Sequence, residues 1–388
     1  MNYNNFLSFS AQRALNHPPP GNWVPSATSG VIPLHKGYPF QEAIPAVELV
    51  NSAHSVQLLE GNLPLHYQGS SLAPKLGNIL TAWSQQRGIF GSIIITSGIL
   101  QALELALRVL VDSQDVVVLE QPTYMECLEV VRNYTDQIIG YPVDEHGVNV
   151  ETIEQDLRQG RKFKILYINP SFQNPSGTCL SEERRIHLRA LASEFDFLIL
   201  EDDAYGELGF DFIPNPVAQG SEHVIYLGSL SKIVAPGIRV GWAMGPKPLI
   251  QAMSLFQKDQ AHPYVRATVC HYLENIDLNA RLKWLRNAYA QRANEMVSLL
   301  SKYMPSRVTW RKPKGGFFVW LHTPGVNTKT LLKKAMTMGV SYVPGCYFYH
   351  QESGGKEYLR LSFCTVSSSE LRKGVKILGD LLAKELAT

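Results

Sequence analysis

The sequence predicts an α/β protein in two parts, a large domain on a mostly parallel seven-stranded sheet and a smaller α+β domain. Three observations predict it. Between about residues 90 and 245, short β-branched runs alternate with helical stretches, the pattern of a buried parallel sheet covered by helices. After about residue 280 one long helical stretch gives way to short strands interleaved with helices. The length, 388 residues, suits one large domain plus a smaller one.

Taken in order, residues 1–40 hold Pro18, Pro19, Pro20, Pro25, Pro33 and Pro39, which predicts an irregular arm over the surface and no helix. Seven strands follow: SIIIT (92–96), DVVVLE (115–120), QIIGYPV (137–143), KILYIN (164–169), FLILED (197–202), VIYLGS (224–229) and RVGWAMG (239–245). Helical segments such as GILQALELALRVLVD and SEERRIHLRALASEF separate them. The helix LNARLKWLRNAYAQRANEMVSLLSKYM then leads into VTWRK, GGFFVWL, VSYVPG and YLRLSF. The expected division is residues 1–50 as the arm and part of the small domain, 51–280 as the large domain, and 281–388 as the C-terminal small domain.

Composition narrows the function. A formal net charge of +2 is too close to zero to point to nucleic acid or an anionic membrane. Cys127, Cys179, Cys270, Cys346 and Cys364 are scattered, with no C-x-x-C pair, which argues against a disulfide framework or a zinc site and for a reducing compartment. No basic start followed by an apolar run marks a signal peptide, and no stretch approaches the roughly 20 apolar residues of a membrane span. The expectation is a cytoplasmic protein.

In open α/β sheets, ligands bind at the carboxyl ends of the strands. After strand 92–96, Ser97-Gly98-Ile99-Leu100 opens a helix, and its free backbone N–H groups offer a phosphate site or simply a capped turn. After 115–120, Tyr124 is placed to stack on a flat heterocycle or to sit at a boundary. After 164–169, Asn174 in QNPSG offers a donor to a ring oxygen or makes an Asx turn. After 197–202, Glu201-Asp202-Asp203 puts three acids in a row, with Tyr205 close behind. One acid facing a pyridine nitrogen would make that ring an electron sink; metal binding and a solvated loop are the competing readings. After 224–229, Ser229-Leu230-Ser231-Lys232 precedes Arg239. A lysine there suits imine formation with a carbonyl and then proton transfer, and Arg239 suits a phosphate; a lone lysine would ordinarily be a surface residue.

At these residues the chain resembles the fold-type-I, class I/II aminotransferases, from about residue 30 to the end. QNPSG (173–177), EDDAY (201–205), SLSKIVAPGIRVGW (229–242) and YLRLSF (358–363) carry the resemblance, in the expected order and spacing. It implies pyridoxal 5′-phosphate as cofactor, held by Lys232 as a Schiff base, with Lys232 also moving the Cα proton. It implies that Asp202 pairs with the pyridine nitrogen, that Tyr205 and Asn174 contact the ring hydroxyl, and that Tyr124 stacks on the ring. Gly98, Ile99 and Leu100, with Ser229, Ser231 and Arg239, would hold the phosphate. Tyr67, in HYQG, resembles the tyrosine that reaches the phosphate of a neighbouring subunit, which implies a homodimer with its sites at the interface. Arg360 resembles the arginine that grips the substrate α-carboxylate, and Gly37 and Tyr38 the segment that closes over it. The implied reaction moves an amino group between an L-amino acid and a 2-oxo acid.

Within the family the chain resembles 2-aminoadipate and kynurenine aminotransferases and the aminotransferase-like domain of winged-helix regulators. The proline-rich, non-basic start of the chain does not suit a DNA-binding domain. Three departures bear on the substrate. Ile99 and Leu100 replace small or polar residues; His35-Lys36-Gly37-Tyr38 replaces a small-residue run; and DQAHPYVRA (259–267) lacks a Thr-Ser pattern. His35, Lys36, Tyr38, His262 and Arg266 are therefore expected in an altered pocket or at the solvent face. An intact cofactor set beside a changed pocket keeps two alternatives open: a cyclase or β/γ-eliminating enzyme, and a non-catalytic sensor of amino acid or cofactor.

Overall fold

Proline and β-branched residues set the frame of the chain. The computed structural model describes residues 3–16, 30–67, 70–258, 262–351 and 353–387. The arm is not free of helix: Phe9–Asn16 forms α1, and its Arg13 donates to the carbonyls of Asn133 and Tyr134 at 3.2 and 3.3 Å. This helix ends before the run of prolines, and Pro18, Pro19, Pro20 and Pro25 lie outside the described residues. The short strand β1 (Ile32–Pro33) follows, then α2 (Ala46–Glu60) and α3 (Leu72–Gln86).

The seven expected strands all form, as β2 (Ser92–Thr96), β3 (Val117–Gln121), β4 (Ile138–Asp144), β6 (Ile165–Ile168), β7 (Leu198–Asp202), β8 (Val224–Ser229) and β9 (Gly241–Gly245). An eighth strand, β5 (Gly147–Val148), adds to one edge as a hairpin partner of β4. Two residues are too few to show a period, and the hairpin depends on Gly147 at φ 94°. The order is β2-β9-β8-β7-β6-β3-β4-β5. Strands β8, β7, β6, β3 and β4 are parallel, and β9 runs antiparallel to both β2 and β8. Every residue of β6 is buried, which explains its unbroken apolar run: helices cover both faces. Those helices are α4 (Ile99–Leu110), α5 (Met125–Arg132), α6 (Val150–Arg158), α7 (Glu182–Phe195), α8 (Lys247–Phe256) and α9 (Pro263–Glu274). Sequence chemistry sets their starts. Ser181 caps α7 by accepting from Arg184 N–H, and Glu182 and Glu183 sit in its first turn.

The long helix α10 (Leu278–Tyr303) leads to a four-stranded antiparallel sheet, in the order β10 (Thr309–Trp310), β11 (Phe318–His322), β14 (Tyr358–Ser362), β13 (Val343–Pro344). Between them lie α11 (Thr328–Thr337) and β12 (Val340–Ser341), and α12 (Ser368–Ala387) closes the chain against α10. Strand β1 pairs in parallel with β12, Ile32 opposite Val340. Ile32 and Leu34 are accordingly buried in the same apolar cluster as Leu299, Leu331 and Leu378, so the arm is tied to the small sheet.

Candidate active site

The carboxyl ends of β3, β6, β7 and β8 and the start of α4 meet β11, β13 and β14 across a cavity of about 940 Å³. Its walls bring together Ile99, Leu100, Tyr124, Asn174, Asp202, Tyr205, Ser229, Ser231, Lys232 and Arg239 with Gly37 and Tyr38 of the arm and Arg360 of β14. Gly98 lies just behind the wall. It is the N-cap of α4 at φ 97°, and a Cβ there would come within 2.5 Å of Arg239 Nη2, so glycine is required. Tyr67 does not line the cavity; it is fully exposed. His35 and Lys36 do line it, whereas His262 and Arg266 do not, and Arg266 instead donates to Ala73 O at 3.1 Å. Residues 259–261 of their segment lie outside the described residues.

The three acids at the end of β7 are all buried, and each has a different partner. Glu201 accepts Val217 N–H and Ala218 N–H at 2.8 and 2.7 Å, and burial pushes its pKa up to about 7. Asp203 pairs with Arg87 at 2.6 Å and accepts Tyr226 OH at 3.0 Å. Only Asp202 opens to the cavity. Its Oδ2 accepts Tyr167 OH at 2.7 Å, its Oδ1 accepts Ala204 N–H at 3.2 Å, and burial pushes its pKa up to about 6. None of the three is a solvated loop residue, and among the described residues no metal-type cluster forms. Asp203 is fully enclosed, so Arg87→Met should destabilise the protein by about 3–5 kcal/mol by leaving a buried charge unpaired. Chemical denaturation of parent and variant checks this, and a loss below about 1 kcal/mol would refute it.

Lys232 is half-buried, and its Nζ donates to Gly37 O at 3.0 Å. The ammonium lies 5.8 and 6.0 Å from the ring centres of Phe317 and Tyr205. Burial lowers its pKa below the ordinary lysine value, and the nearby Cys364, Glu126 and Asp202 offset this only in part. Arg360 is 4 % exposed. It donates to Asn174 Oδ1 and His35 O, both at 2.7 Å, and stacks 4.1 Å over Phe318. Among the described residues no acid pairs with it, and its buried Nε has no partner. Burial lowers its pKa to about 10, which leaves it charged at neutral pH. His35 bonds Ser341 Oγ through Nδ1 at 2.7 Å, and burial, Lys36 and Arg360 hold its pKa down to about 4, so the ring is neutral.

The start of α4 has no side-chain cap, so its first N–H groups face Ser229, Ser231 and Arg239 unclaimed by any cap. Arg239 is itself left-handed at φ 49°, and its Nη2 donates to Ser97 O at 2.9 Å. That corner suits a dianion. Several supporting residues escape a reading by motif. Glu120 is buried and accepts Asn169 N–H at 2.8 Å; Asn169 in turn donates to Asp202 O at 2.6 Å and accepts Asn174 N–H at 2.8 Å. The only trace of this in the sequence is a polar residue ending an otherwise apolar strand. Glu126, which accepts Tyr124 OH, and Phe318 also line the cavity unannounced.

This set fits pyridoxal 5′-phosphate: a dianion corner, an enclosed carboxylate for a ring nitrogen, a lysine of lowered pKa for an aldehyde, and a buried arginine that no acid of the described residues pairs. Comparison with known proteins agrees. Residues 38–378 match the family model for aminotransferase class I and II. An aromatic-amino-acid aminotransferase of Thermococcus litoralis is 35% identical over 377 residues, covering 92% of this chain and 89% of that protein. A 2-aminoadipate transaminase of Thermus thermophilus is 32% identical over 92% of this chain and 91% of its own length. A kynurenine aminotransferase of Pyrococcus horikoshii, solved with PMP and KYN as substrates and KYA as products, superposes with a TM-score of 0.89 at 32% identity, covering 99% of this chain and 98% of that one. PMP is the amino form of pyridoxal phosphate. The similarity runs through the large sheet and the small sheet alike, and the chain belongs to the class I and II aminotransferases, a pyridoxal 5′-phosphate-dependent transferase.

Proposed function

We propose that this protein transfers an amino group between an L-amino acid and a 2-oxo acid, with Lys232 as the residue that carries the cofactor. The observation behind this reading is one cavity that joins Lys232 and Asp202 from the large sheet to Arg360 from the small one, a buried cation that no acid of the described residues pairs. The bound cofactor supplies an electron sink for the pair left when Cα loses its proton. Lys232 Nζ, its pKa lowered by burial, would hold the cofactor through its aldehyde and, once released by the substrate amine, would hold and return the Cα proton. Asp202 would serve the ring nitrogen, Asn174 and Tyr205 the ring hydroxyl, and Tyr124 the ring face. Gly98, Ile99, Leu100, Ser229, Ser231 and Arg239 would hold the phosphate. Arg360 and Asn174 take the α-carboxylate, while Gly37 and Tyr38 shield the site from water. Gly37 approaches Phe318 so closely that a Cβ would lie 2.7 Å from its ring, which suits a close-fitting cover.

The reading extends to a homodimer. Tyr67 is fully exposed beside Leu63 and Leu65, and Val47, Val50, Leu58 and Leu59 of α2 expose further apolar surface, a face suited to a second copy. Tyr67 would then reach the neighbour's phosphate site. Residues 1–50, 51–280 and 281–388 remain the division we propose. No helix of the described residues is long and apolar enough to cross a membrane. With five scattered cysteines and no C-x-x-C pair, we place the protein in the cytoplasm.

The purified protein should be yellow and bleach with borohydride. Given amino acids and 2-oxoglutarate, it should form glutamate. Colourless protein that takes up no pyridoxal phosphate, or the absence of glutamate with every donor, would sink the reading.

A further inference from the structure

The roles proposed above leave two charged side chains of the cavity without work, Lys36 and Glu126. Glu126 sits in the first turn of α5, where the amino-terminal N–H groups favour a carboxylate. It lines the cavity with Asn174, Lys232 and Arg360, and its charge is felt at both cations. Its Oε2 accepts Tyr124 OH, and among the described residues no lysine or arginine pairs with it.

The other charges have partners. In the proposed reading Asp202 faces the ring nitrogen, Arg239 the phosphate and Arg360 the α-carboxylate, while His35 is neutral. Lys36 is exposed, whereas Glu126 is half-buried. A substrate side chain that displaces water from this cavity leaves the carboxylate to find a new donor or bear its own desolvation. The apolar lining nearby, Met125, Val31 and Val343, offers no donor. A second carboxylate would meet repulsion as well.

We propose that Glu126 sets side-chain specificity: it selects amino acids whose side chain carries a nitrogen donor, such as an ammonium or imidazole, and disfavours those that end in a second carboxylate. The proposal rests on the aminotransferase reading and names its substrate class.

Glu126→Gln tests it, since glutamine keeps the shape and a bond to Tyr124 but loses the charge. Holoenzymes of both forms would be titrated by equilibrium dialysis with α-methyl-lysine and α-methyl-glutamate, which lack a Cα hydrogen and bind without turnover. Values of kcat/KM for lysine, histidine and 2-aminoadipate would be measured alongside. The parent should favour the nitrogen-bearing ligands, and the variant should shift the lysine-to-acid ratio, in binding and in kcat/KM, about tenfold toward the acid. A ratio that does not move, or a parent that binds the acidic analogue more tightly, overturns the proposal with amino transfer intact. Equal loss with every donor assigns Glu126 to holding Tyr124 and also overturns it. Turnover of no amino acid by the parent overturns both readings.

Discussion

Lys232→Ala should slow amino transfer by about ten-thousandfold or more, the largest effect of any single change in the cavity. In the proposed reading two functions leave together, the covalent hold on the cofactor and the carrier of the Cα proton. Nothing nearby replaces them: Lys36 is exposed, and His35 is neutral but bonded to Ser341. The fold should survive, because the one hydrogen bond lost is that to Gly37 O. Borohydride should no longer fix cofactor to the protein, while denaturation should shift by no more than about 1 kcal/mol. A variant that retains a tenth of the parent rate would refute the assignment. Burial also gives the parent a pH signature. Only the neutral amine attacks an aldehyde, and the lowered pKa supplies neutral amine at lower pH than an ordinary lysine would. The rate at which cofactor-free protein reloads should therefore rise with pH and level off below the ordinary lysine range. A rise that continues to about pH 10.4, the unperturbed lysine value, would mean the amine is not enclosed.

Arg360→Gln should lower kcat/KM for α-amino acids by about 10²–10³-fold, mostly through KM, because in the proposed reading it removes a fixed, desolvated partner for the α-carboxylate. Asn174, His35 O and the Phe318 face orient this guanidinium, and none of them neutralises it. Its unpartnered Nε marks binding capacity that the chain does not use on itself. Arg360→Lys should rescue little, since an ammonium cannot reproduce the fork. An amine substrate without a carboxylate provides the control. Its rate should change far less, and an equal fall for such an amine would mean that Arg360 supports the fold and not the substrate.

The strand ends were legible because buried parallel strands give unbroken apolar runs, and whatever polar residue stops such a run lies at the ligand edge. Lys232, Asp202, Asn174 and Arg239 could therefore be placed at one edge before any coordinates. What could not be read were pairings across the chain. Arg87 meets Asp203 across 116 residues, and Arg360 meets Asn174 across 186, with no local pattern to announce either. For the same reason the three acids at the end of β7 are distinguished in sequence only by the family resemblance, which singles out Asp202, the one of the three that lines the cavity. Helix α1 was hidden by the prolines that follow it, and β5 by its two-residue length. The departure of segment 259–267 from the family pattern points His262 and Arg266 to an altered pocket or to the solvent face, and neither lies in the cavity wall.

The pairing of β1 with β12 has a consequence for synthesis. The large sheet finds all its strands within residues 92–245 and can form while the rest of the chain is still being made. Strand β1 leaves the ribosome before any of it, yet its strand partners, Val340 and Ser341, come some 300 residues later. The backbone that touches Lys232 and Arg360 belongs to that arm. The cavity cannot be completed before Arg360 is made, and an incomplete chain can hold a finished sheet without a finished site.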